Sequence, residues 1–138
     1  MFSVEMHVGR LIEIVMSSPL PLQEVEGLIR GVRMNVMAAS EPVLICVRME
    51  QLRVMLPDAT EPLLGMLRRD NPKVVRSGYL LAQRYGSLAM QVDRIVREAN
   101  NPNRRWFTQL DELRTFLDEV ARPDESARLA AFLAPTSR

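Results

Sequence analysis

Apolar and polar residues alternate over residues 2–8, at the start of the chain. A period of two predicts a strand with one buried face. Gly9 and Arg10 then predict a two-residue hairpin turn, because glycine readily adopts the positive φ that such turns need. Residues 11–16, LIEIVM, predict the return strand, and their nearly continuous apolar run suits burial on both faces.

Helical spacing follows the hairpin. Apolar residues recur every three or four positions from Leu22 to Val36, and Pro21 suits the first turn of a helix. Gly27 and Gly31 lie four residues apart and therefore on one side of this helix. Each glycine weakens a helix by about 0.5–1 kcal/mol relative to alanine. We therefore expect another element to pack closely against this side.

A second apolar run, VLICVRM, occupies residues 43–49. A short β-branched run after a helix predicts a central parallel strand that is reached by a crossover. Cys46 lies inside this run. Because no His or Lys is near it in sequence, we interpret Cys46 as a small buried hydrophobe rather than a nucleophile.

Residues 50–59 have no clear period and are interpreted as irregular. Leu52, Val54 and Leu56 occupy alternate positions, so a short strand here is an open alternative. Thr60 then predicts the N-cap of a helix, which ends before an Asn-Pro pair. Residues 73–82 predict a further strand.

The last third of the chain continues the alternation of helices and strands. Ser87 begins an amphipathic helix, residues 104–107 predict a short strand, and Thr108 predicts the cap of the next helix. Pro123 opens a final short helix. The predicted order is β-β-α-β-α-β-α-β-α-α. It indicates a single-domain α/β fold with a mixed, mostly parallel sheet, an N-terminal hairpin and four or five helices.

The short strand RRWF allows two interpretations. Strand geometry places Trp106 and Phe107 on opposite faces, so at least one of them belongs to the core while Arg104 and Arg105 flank the strand. Arginines next to aromatic residues are also typical of nucleic-acid surfaces. The net charge of +1 and the aromatic content of 5% favour the structural interpretation.

Length, composition and charge limit the classes of function. A chain of 138 residues with 47% apolar and 25% charged residues is typical of one globular domain. A net charge of +1 provides no global field toward nucleic acid or anionic membranes. His7 and Cys46 are each the only residue of their type. We therefore expect no disulfide within the chain, no zinc or haem site and no cofactor.

Two further patterns concern localisation and catalysis. The first ten residues lack the basic segment of a signal peptide, and no run reaches the roughly 18 apolar residues that span a bilayer, so we expect a cytoplasmic protein. The sequence shows no Ser-His-Asp set and no glycine-rich phosphate loop. We therefore expect that it is not an enzyme.

Two segments carry a resemblance to a known family. One is the hairpin through a glycine, HVGRLIEIVMSS, which a helix follows. The other is a late strand with an aromatic residue that leads into a helix, RRWFTQLDELRTFLDEV. In element order and hydrophobic spacing the chain resembles the STAS family, and within it the SpoIIAA-like (anti-sigma-factor antagonist-like) proteins of bacteria. The resemblance covers residues 2–121, and residues 122–138 look like a short C-terminal helical extension.

The resemblance implies a phosphorylation position. Phosphorylated members of the family carry a serine at the start of the helix after the third strand, in a motif similar to D-S-S-G. Thr60 holds the matching position here, but Ala59 and Glu61 depart from that motif. Glu61 would repel an incoming phosphate. We therefore expect Thr60 to be a structural cap and not a phosphorylation site.

Two residue groups leave a binding role open. The first group consists of basic residues: Arg68, Arg69, Lys73, Arg76 and Arg84. We interpret them as residues that offset the helix dipole or lie on solvated strand edges. The alternative is that they bind an acidic partner protein or a phosphate. The methionines are interpreted as core filling, with an apolar pocket as the alternative; they are Met34, Met37, Met49, Met55, Met66 and Met90.

The resemblance implies a protein-interaction module in bacterial regulation, with a regulator as the partner. We expect the contact surface in the irregular stretch from Met49 to Thr60 and the following helix. The candidate partner-binding residues are Met49, Arg53, Met55, Asp58, Thr60, Glu61, Arg68 and Arg69. The alternative is a domain that binds or senses a small apolar, lipid-like ligand, which an enclosed cavity of several hundred Å³ would indicate. Homodimerisation remains open, and we expect no nucleic-acid partner.

Overall fold

The computed structural model describes residues 1–134. Its strands are β1 (Phe2–Glu5), β2 (Leu11–Ser17), β3 (Val43–Gln51), β4 (Val74–Leu81) and β5 (Arg104–Phe107). Its α-helices are α1 (Leu22–Ala38), α2 (Thr60–Asp70), α3 (Gly86–Glu98), α4 (Leu110–Asp118) and α5 (Pro123–Phe132). Short 3₁₀ helices, Pro57–Ala59 and Asn71–Lys73, flank α2.

The strands form one five-stranded sheet in the order β1-β2-β3-β4-β5. β1 is antiparallel to β2, and each later pair of neighbours is parallel. The predicted α/β fold with a mixed, mostly parallel sheet is confirmed. The expectation that residues 43–49 lie inside the sheet is also confirmed, because β3 pairs with strands on both sides.

Helices cover both faces of the sheet. Side chains of α1, α2 and α3 share one apolar cluster with Ile45, Val47 and Met49 of β3. Side chains of α4 and α5 share a second cluster with Leu44 and Cys46 on the opposite face. The two clusters follow the alternation of side chains along β3. Cys46 is fully buried and burial raises the pKa of its thiol, so its interpretation as a buried hydrophobe is confirmed.

The predicted close packing against one side of α1 is confirmed, and the packing element is β1. A Cβ atom added at Gly27 would lie 3.1 Å from Cζ of Phe2. A Cβ atom added at Gly31 would lie 3.4 Å from Cγ2 of Val4. The two glycines therefore allow the edge strand to approach the helix.

The hairpin differs from its prediction. β1 ends at Glu5, which pairs with Glu13, so residues 6–10 form the connection and the predicted two-residue turn is wrong. Gly9 does adopt a positive φ of 54°. The backbone N–H of Arg10 donates to Oε2 of Glu125 at 2.8 Å instead of joining the strand ladder. The end of the hairpin is thus held by α5.

Residues 52–56 form no strand, which agrees with the irregular stretch expected there. The backbone N–H and C=O of Met55 are both occupied by the side chain of Gln91. One local prediction is wrong. Thr108 is not the cap of α4. The N-cap is Gln109, which makes no capping hydrogen bond through its side chain.

The helix α5 is joined to the sheet by two ion pairs. Glu125 is fully buried and accepts hydrogen bonds from Nη2 of Arg10 at 2.8 Å and from the backbone N–H of Arg122 at 2.9 Å. Arg128 donates to both carboxylate oxygens of Glu13 at 2.6 and 2.7 Å. The division at residue 122 stays a prediction, although α5 packs as an integral layer of the described structure.

The Glu125 contacts predict an acid-sensitive contribution to stability. Burial alone would raise the pKa of Glu125, but hydrogen bonds from Arg10 and from the backbone N–H groups of Arg122 and Arg10 lower it to about 2. A carboxyl group whose pKa is lowered in the folded state stabilises the fold at pH values above its ordinary pKa of 4.5. This stabilisation is lost as the pH falls toward 2. We expect Glu125→Gln to lower the free energy of unfolding at pH 7 by on the order of 3 kcal/mol.

Urea denaturation between pH 7 and pH 2 measures this effect. The variant should lose less stability than the wild type as the pH falls from 4.5 toward 2. Glu112→Gln is the matched control, because Glu112 is exposed and its change should stay within about 0.5 kcal/mol. Equal pH dependence in the wild type and Glu125→Gln would contradict the assignment.

Candidate functional site

The segment between β3 and α2 lies at the carboxyl end of the parallel strands, where open α/β sheets usually bind their ligands. Side chains hold its backbone in place. The N–H of Met55 donates to Oε1 of Gln91 at 3.2 Å, and Nε2 of Gln91 donates to the carbonyl of Met55 at 2.9 Å. The N–H of Arg53 donates to Oγ of Ser18 at 3.0 Å. This irregular segment therefore has a defined conformation.

Apolar side chains are exposed on both sides of the Met55–Gln91 contact. Val54 and Leu56 flank Met55 and are 54% and 46% exposed, and Met90, which directly precedes Gln91, is 76% exposed. Charged residues of the same segment are also exposed. We name this region the β3–α2 surface and define it as Arg53, Val54, Leu56, Asp58, Thr60, Glu61 and Met90.

Two of the candidate partner-binding residues are not on this surface. Met49 and Met55 are each 3% exposed and pack in the cluster beneath α1, α2 and α3. The prediction that they contact a partner is therefore wrong. Met49 lies on the face of β3 that α1, α2 and α3 cover. Met55 packs into the same cluster, whereas its neighbours Val54 and Leu56 are exposed.

Arg68 and Arg69 are exposed but lie at the other end of α2. A rise of 1.5 Å per residue places Arg68 about 12 Å along the helix axis from Thr60. Nε of Arg68 donates to the carbonyl of Glu98 at 3.1 Å, which joins the end of α2 to α3. The structure therefore separates these two arginines from the β3–α2 surface.

Thr60 is not the N-cap of α2, so the prediction that it caps this helix is wrong. The 3₁₀ helix Pro57–Ala59 leads directly into α2, and Thr60 has the helical angles φ −60° and ψ −52°. Its backbone N–H already donates to the carbonyl of Pro57, and the N-cap position falls on Ala59 without a capping hydrogen bond from a side chain. A cap at Thr60 would have required an extended backbone there.

The predicted basic group does not form one surface. Arg76 lies on the opposite face of the sheet from α2 and donates to the carbonyl of Phe116 in α4 at 2.7 Å. The guanidinium of Arg84 lies 4.9 Å from the ring centroid of Tyr85. Arg68 and Arg69 lie in the last turn of α2, and Lys73 lies in the 3₁₀ helix that follows it.

The methionines divide into two sets. Met49, Met55 and Met66 are buried, which confirms core filling for them. Core filling is wrong for the other three, since Met34, Met37 and Met90 are 72%, 61% and 76% exposed.

The two arginines of RRWF have opposite environments. Arg104 is 3% exposed, whereas Arg105 is exposed and its guanidinium lies 5.3 Å from the ring centroid of Phe116. Trp106 packs against the α1–α3 side and Phe107 against the α4–α5 side, as predicted from strand geometry. The prediction that both arginines flank the strand is wrong, because both belong to β5 and Arg104 is buried.

Arg104 makes its buried hydrogen bonds to neutral acceptors. Nε donates to Oδ1 of Asn71 at 2.9 Å, Nη1 to the hydroxyl of Tyr79 at 2.9 Å and Nη2 to the carbonyl of Leu67 at 3.2 Å. Within residues 1–134, no carboxylate oxygen lies within 4.0 Å of a guanidinium nitrogen of Arg104, so Arg104 forms no ion pair there. This arginine therefore joins the end of α2 to β4 and β5 through hydrogen bonds alone.

A cavity of about 70 Å³ lies between the sheet and the helices α1, α2 and α3. Most of its lining is apolar, but four polar side chains also contribute: Asp70, Ser77, Tyr79 and Arg104. Oδ2 of Asp70 and Oγ of Ser77 are buried and have no hydrogen-bond partner among residues 1–134. Burial also raises the pKa of Asp70.

The sequence pattern does not single out these polar residues. Asp70 stands at a helix end before an Asn-Pro pair, where a solvated residue is expected. Ser77 stands inside a predicted strand and belongs to no recognisable motif. Only the alternation that places Ser77 and Tyr79 on one face of β4 could have indicated that they lie together. Nothing in the local sequence indicated that Arg104 is buried.

Residues 1–134 contain no group of three or more His, Cys, Asp or Glu side chains that could hold a metal ion. Absence of zinc from the purified protein stays a prediction.

None of the helices in the described part of the chain is both long enough and apolar enough to cross a membrane.

Comparison with known proteins gives the fold. No protein-family model matches the chain, and no curated protein matches it in sequence. The solved structure of the anti-sigma factor antagonist SpoIIAA in its unphosphorylated form is similar, with a TM-score of 0.60 and 16% sequence identity. The match covers 88% of this chain and 100% of that chain. The fold is therefore that of SpoIIAA, as the resemblance implied.

The Arg104 contacts predict that two adjacent arginines respond differently to the same substitution. Arg104→Lys should lower the free energy of unfolding by about 2–3 kcal/mol, because one ammonium group cannot reach acceptors on three elements and leaves buried oxygens unpaired. Arg105→Lys is the control and should change stability by no more than about 0.5 kcal/mol. Chemical denaturation measures both, and equal effects would show that Arg104 does not have this role.

Proposed function

We propose that the protein is a non-enzymatic interaction module in bacterial regulation, and that it binds a partner protein through the β3–α2 surface. The observation that carries this proposal is the exposure of Val54 and Leu56 on a segment whose backbone is held by Gln91 and Ser18. Apolar side chains on a fixed backbone lose little conformational freedom on binding, which favours association.

The fold supports the same class of function. The solved structure that shares it is an anti-sigma factor antagonist. A regulatory role that depends on binding another protein is the role that we extend to this chain.

The chemistry of the surface suggests the kind of partner. Exposed Arg53, Asp58 and Glu61 accompany the apolar side chains, so the surface has an apolar centre and charges of both signs. Interfaces of non-obligate complexes commonly combine an apolar core with a polar rim. We expect a partner with a complementary apolar patch rather than a nucleic acid, whose phosphates require a concentration of basic residues.

The alternative, a lipid-like ligand, has less support. The cavity beneath α1, α2 and α3 measures about 70 Å³, whereas pockets for drug-sized ligands measure roughly 300–1,000 Å³. An acyl chain of ordinary length would not fit into this space.

The environments of two reactive residue types support a non-enzymatic role. The thiol of Cys46 is buried and its pKa is raised, so the nucleophilic thiolate is disfavoured. His7 lies in the connection after β1, where Nε2 is 3.2 Å from a carboxylate oxygen of the half-exposed Glu5. The thiol and the imidazole therefore do not form a nucleophile–base pair.

That Thr60 is not phosphorylated stays a prediction. Thr60 is partly exposed in the first turn of α2, and exposed carboxylates at Asp58 and Glu61 lie close to it along the chain. These charges would repel a phosphate. Because Thr60 makes no capping hydrogen bond, we now expect its hydroxyl to contribute little to stability.

Substitution of the exposed apolar residues tests the surface. We expect the double variant Val54→Ser, Leu56→Ser to bind the partner at least about tenfold more weakly, because truncated residues at the centre of an interface commonly cost more than 1 kcal/mol each. The measurement is affinity capture from the source cells, followed by titration of the captured partner with each purified variant.

The matched control is the double variant Met34→Ser, Met37→Ser, which changes two exposed side chains on α1. It should keep wild-type affinity, and both variants should unfold at wild-type denaturant concentrations. A partner lost by the α1 variant and retained by the β3–α2 variant would contradict the proposed surface. Loss of a homodimer in sedimentation, without any other partner, would show that the occupant is a second copy of the chain.

A further inference from the structure

The cavity beneath α1, α2 and α3 is large enough for more than one water molecule. Its volume is about 70 Å³, and each water-sized group needs roughly 10–15 Å³ of such space, so about five groups fit. All of its lining residues except the half-buried Val96 are buried. A space of this volume is too small for long acyl chains and large rings.

Methionine gives the apolar part of this cavity an adaptable wall. The contributing methionines come from β2, β3, the segment after β3 and α2; they are Met16, Met49, Met55 and Met66. Unbranched thioether side chains change rotamer readily and adjust to an irregular guest. The aliphatic residues around them include Ile14, Val32, Ile45 and Val92.

The other part of the cavity has unused hydrogen-bonding capacity of both kinds. Oδ2 of Asp70 is an acceptor and the hydroxyl of Ser77 is a donor, and neither has a partner among residues 1–134. Both side chains are more than nine-tenths buried and line the cavity. Buried polar groups in proteins are nearly always paired, so these two atoms indicate an occupant that pairs with them.

We propose that this cavity binds a short aliphatic alcohol of about five non-hydrogen atoms, with its hydroxyl between Asp70 and Ser77 and its carbon chain among the methionines. A hydroxyl supplies one donor and two acceptor lone pairs. In the proposed position it would donate to Oδ2 of Asp70 and accept from Oγ of Ser77. This inference is independent of the proposed partner surface.

Other head groups fit these residues less well. A carboxylate only accepts hydrogen bonds and would be repelled by the carboxylate of Asp70. An ammonium could donate to both Oδ2 of Asp70 and Oγ of Ser77, but it would place a second cation beside the buried Arg104. A hydrocarbon would leave both Asp70 and Ser77 without a partner. A hydroxyl therefore pairs with both residues without adding a charge to the cavity.

Methionine-methyl NMR with 1-butanol as the probe tests the inference on the intact chain. The protein is labelled with [methyl-¹³C]methionine, and the signals of Met16, Met49, Met55 and Met66 report on the cavity. The exposed Met34, Met37 and Met90 are internal controls in the same spectrum. We expect saturable shifts and nuclear Overhauser effects from butanol protons at the cavity methyls, and neither at the control methyls.

Variants and matched probes distinguish the hydroxyl from a simple apolar effect. Ser77→Ala should weaken butanol binding about two- to tenfold, which is the value of one hydrogen bond. Val92→Ile, which adds a methylene to the cavity wall, should abolish the saturable shift. If either variant fails to fold, the wild type still decides the question, because butyrate and n-pentane should each bind more weakly than butanol.

Several results would overturn the proposal. They are shifts of equal size at cavity and exposed methyls, butyrate or n-pentane binding as tightly as butanol, or a folded Ser77→Ala protein with unchanged affinity. Long-lived water signals near Ser77 that butanol does not displace would show that the cavity holds only water.

Discussion

The arrangement of α2, β4 and β5 depends on one buried guanidinium. Arg104 begins the edge strand β5, yet it is 3% exposed and donates hydrogen bonds to Asn71, Tyr79 and the carbonyl of Leu67. A buried charge is costly unless its hydrogen bonds are satisfied. The planar fork of arginine can reach several acceptors at once, which a lysine cannot do. The end of α2 is therefore fixed against the sheet, and α2 in turn borders both the cavity and the β3–α2 surface.

The two faces of the sheet are packed differently. On the α4–α5 face the contact is close, since a Cβ atom added at Gly78 would lie 2.2 Å from Cδ1 of Leu113. Ion pairs from Glu13 and Glu125 to arginines join β2 and the hairpin to α5 on that face. The α1–α3 face instead contains the methionine-lined cavity with Asp70 and Ser77 at its wall. The methionine-lined cavity therefore lies on the face that also carries the proposed partner surface.

The sequence was sufficient to predict the elements and their order. The alternation in β1, the β-branched run of β3 and the Pro and Gly positions are local signals, and local signals determine element type. The central position of β3 followed because a continuous apolar run needs cover on both faces. The side-chain contacts were harder to predict. The partners of Arg104 lie 25 to 37 residues away in sequence, and Gln91 holds Met55 across 36 residues. The predicted cap at Thr60 is wrong because a 3₁₀ helix over Pro57–Ala59 leads directly into α2. The sequence of this segment does not indicate that 3₁₀ helix.

Three features depend on the position of α2. They are the fold shared with SpoIIAA, the apolar surface on a fixed segment and the small cavity beneath the helices. Hydrogen exchange of arginine side-chain Nε–H groups, followed by NMR, tests that dependence most directly. The account predicts that the Nε–H of Arg104 exchanges far more slowly than that of the exposed Arg105, because it is buried and donates to Asn71. Equal, rapid exchange of the two neighbouring arginines would contradict the account.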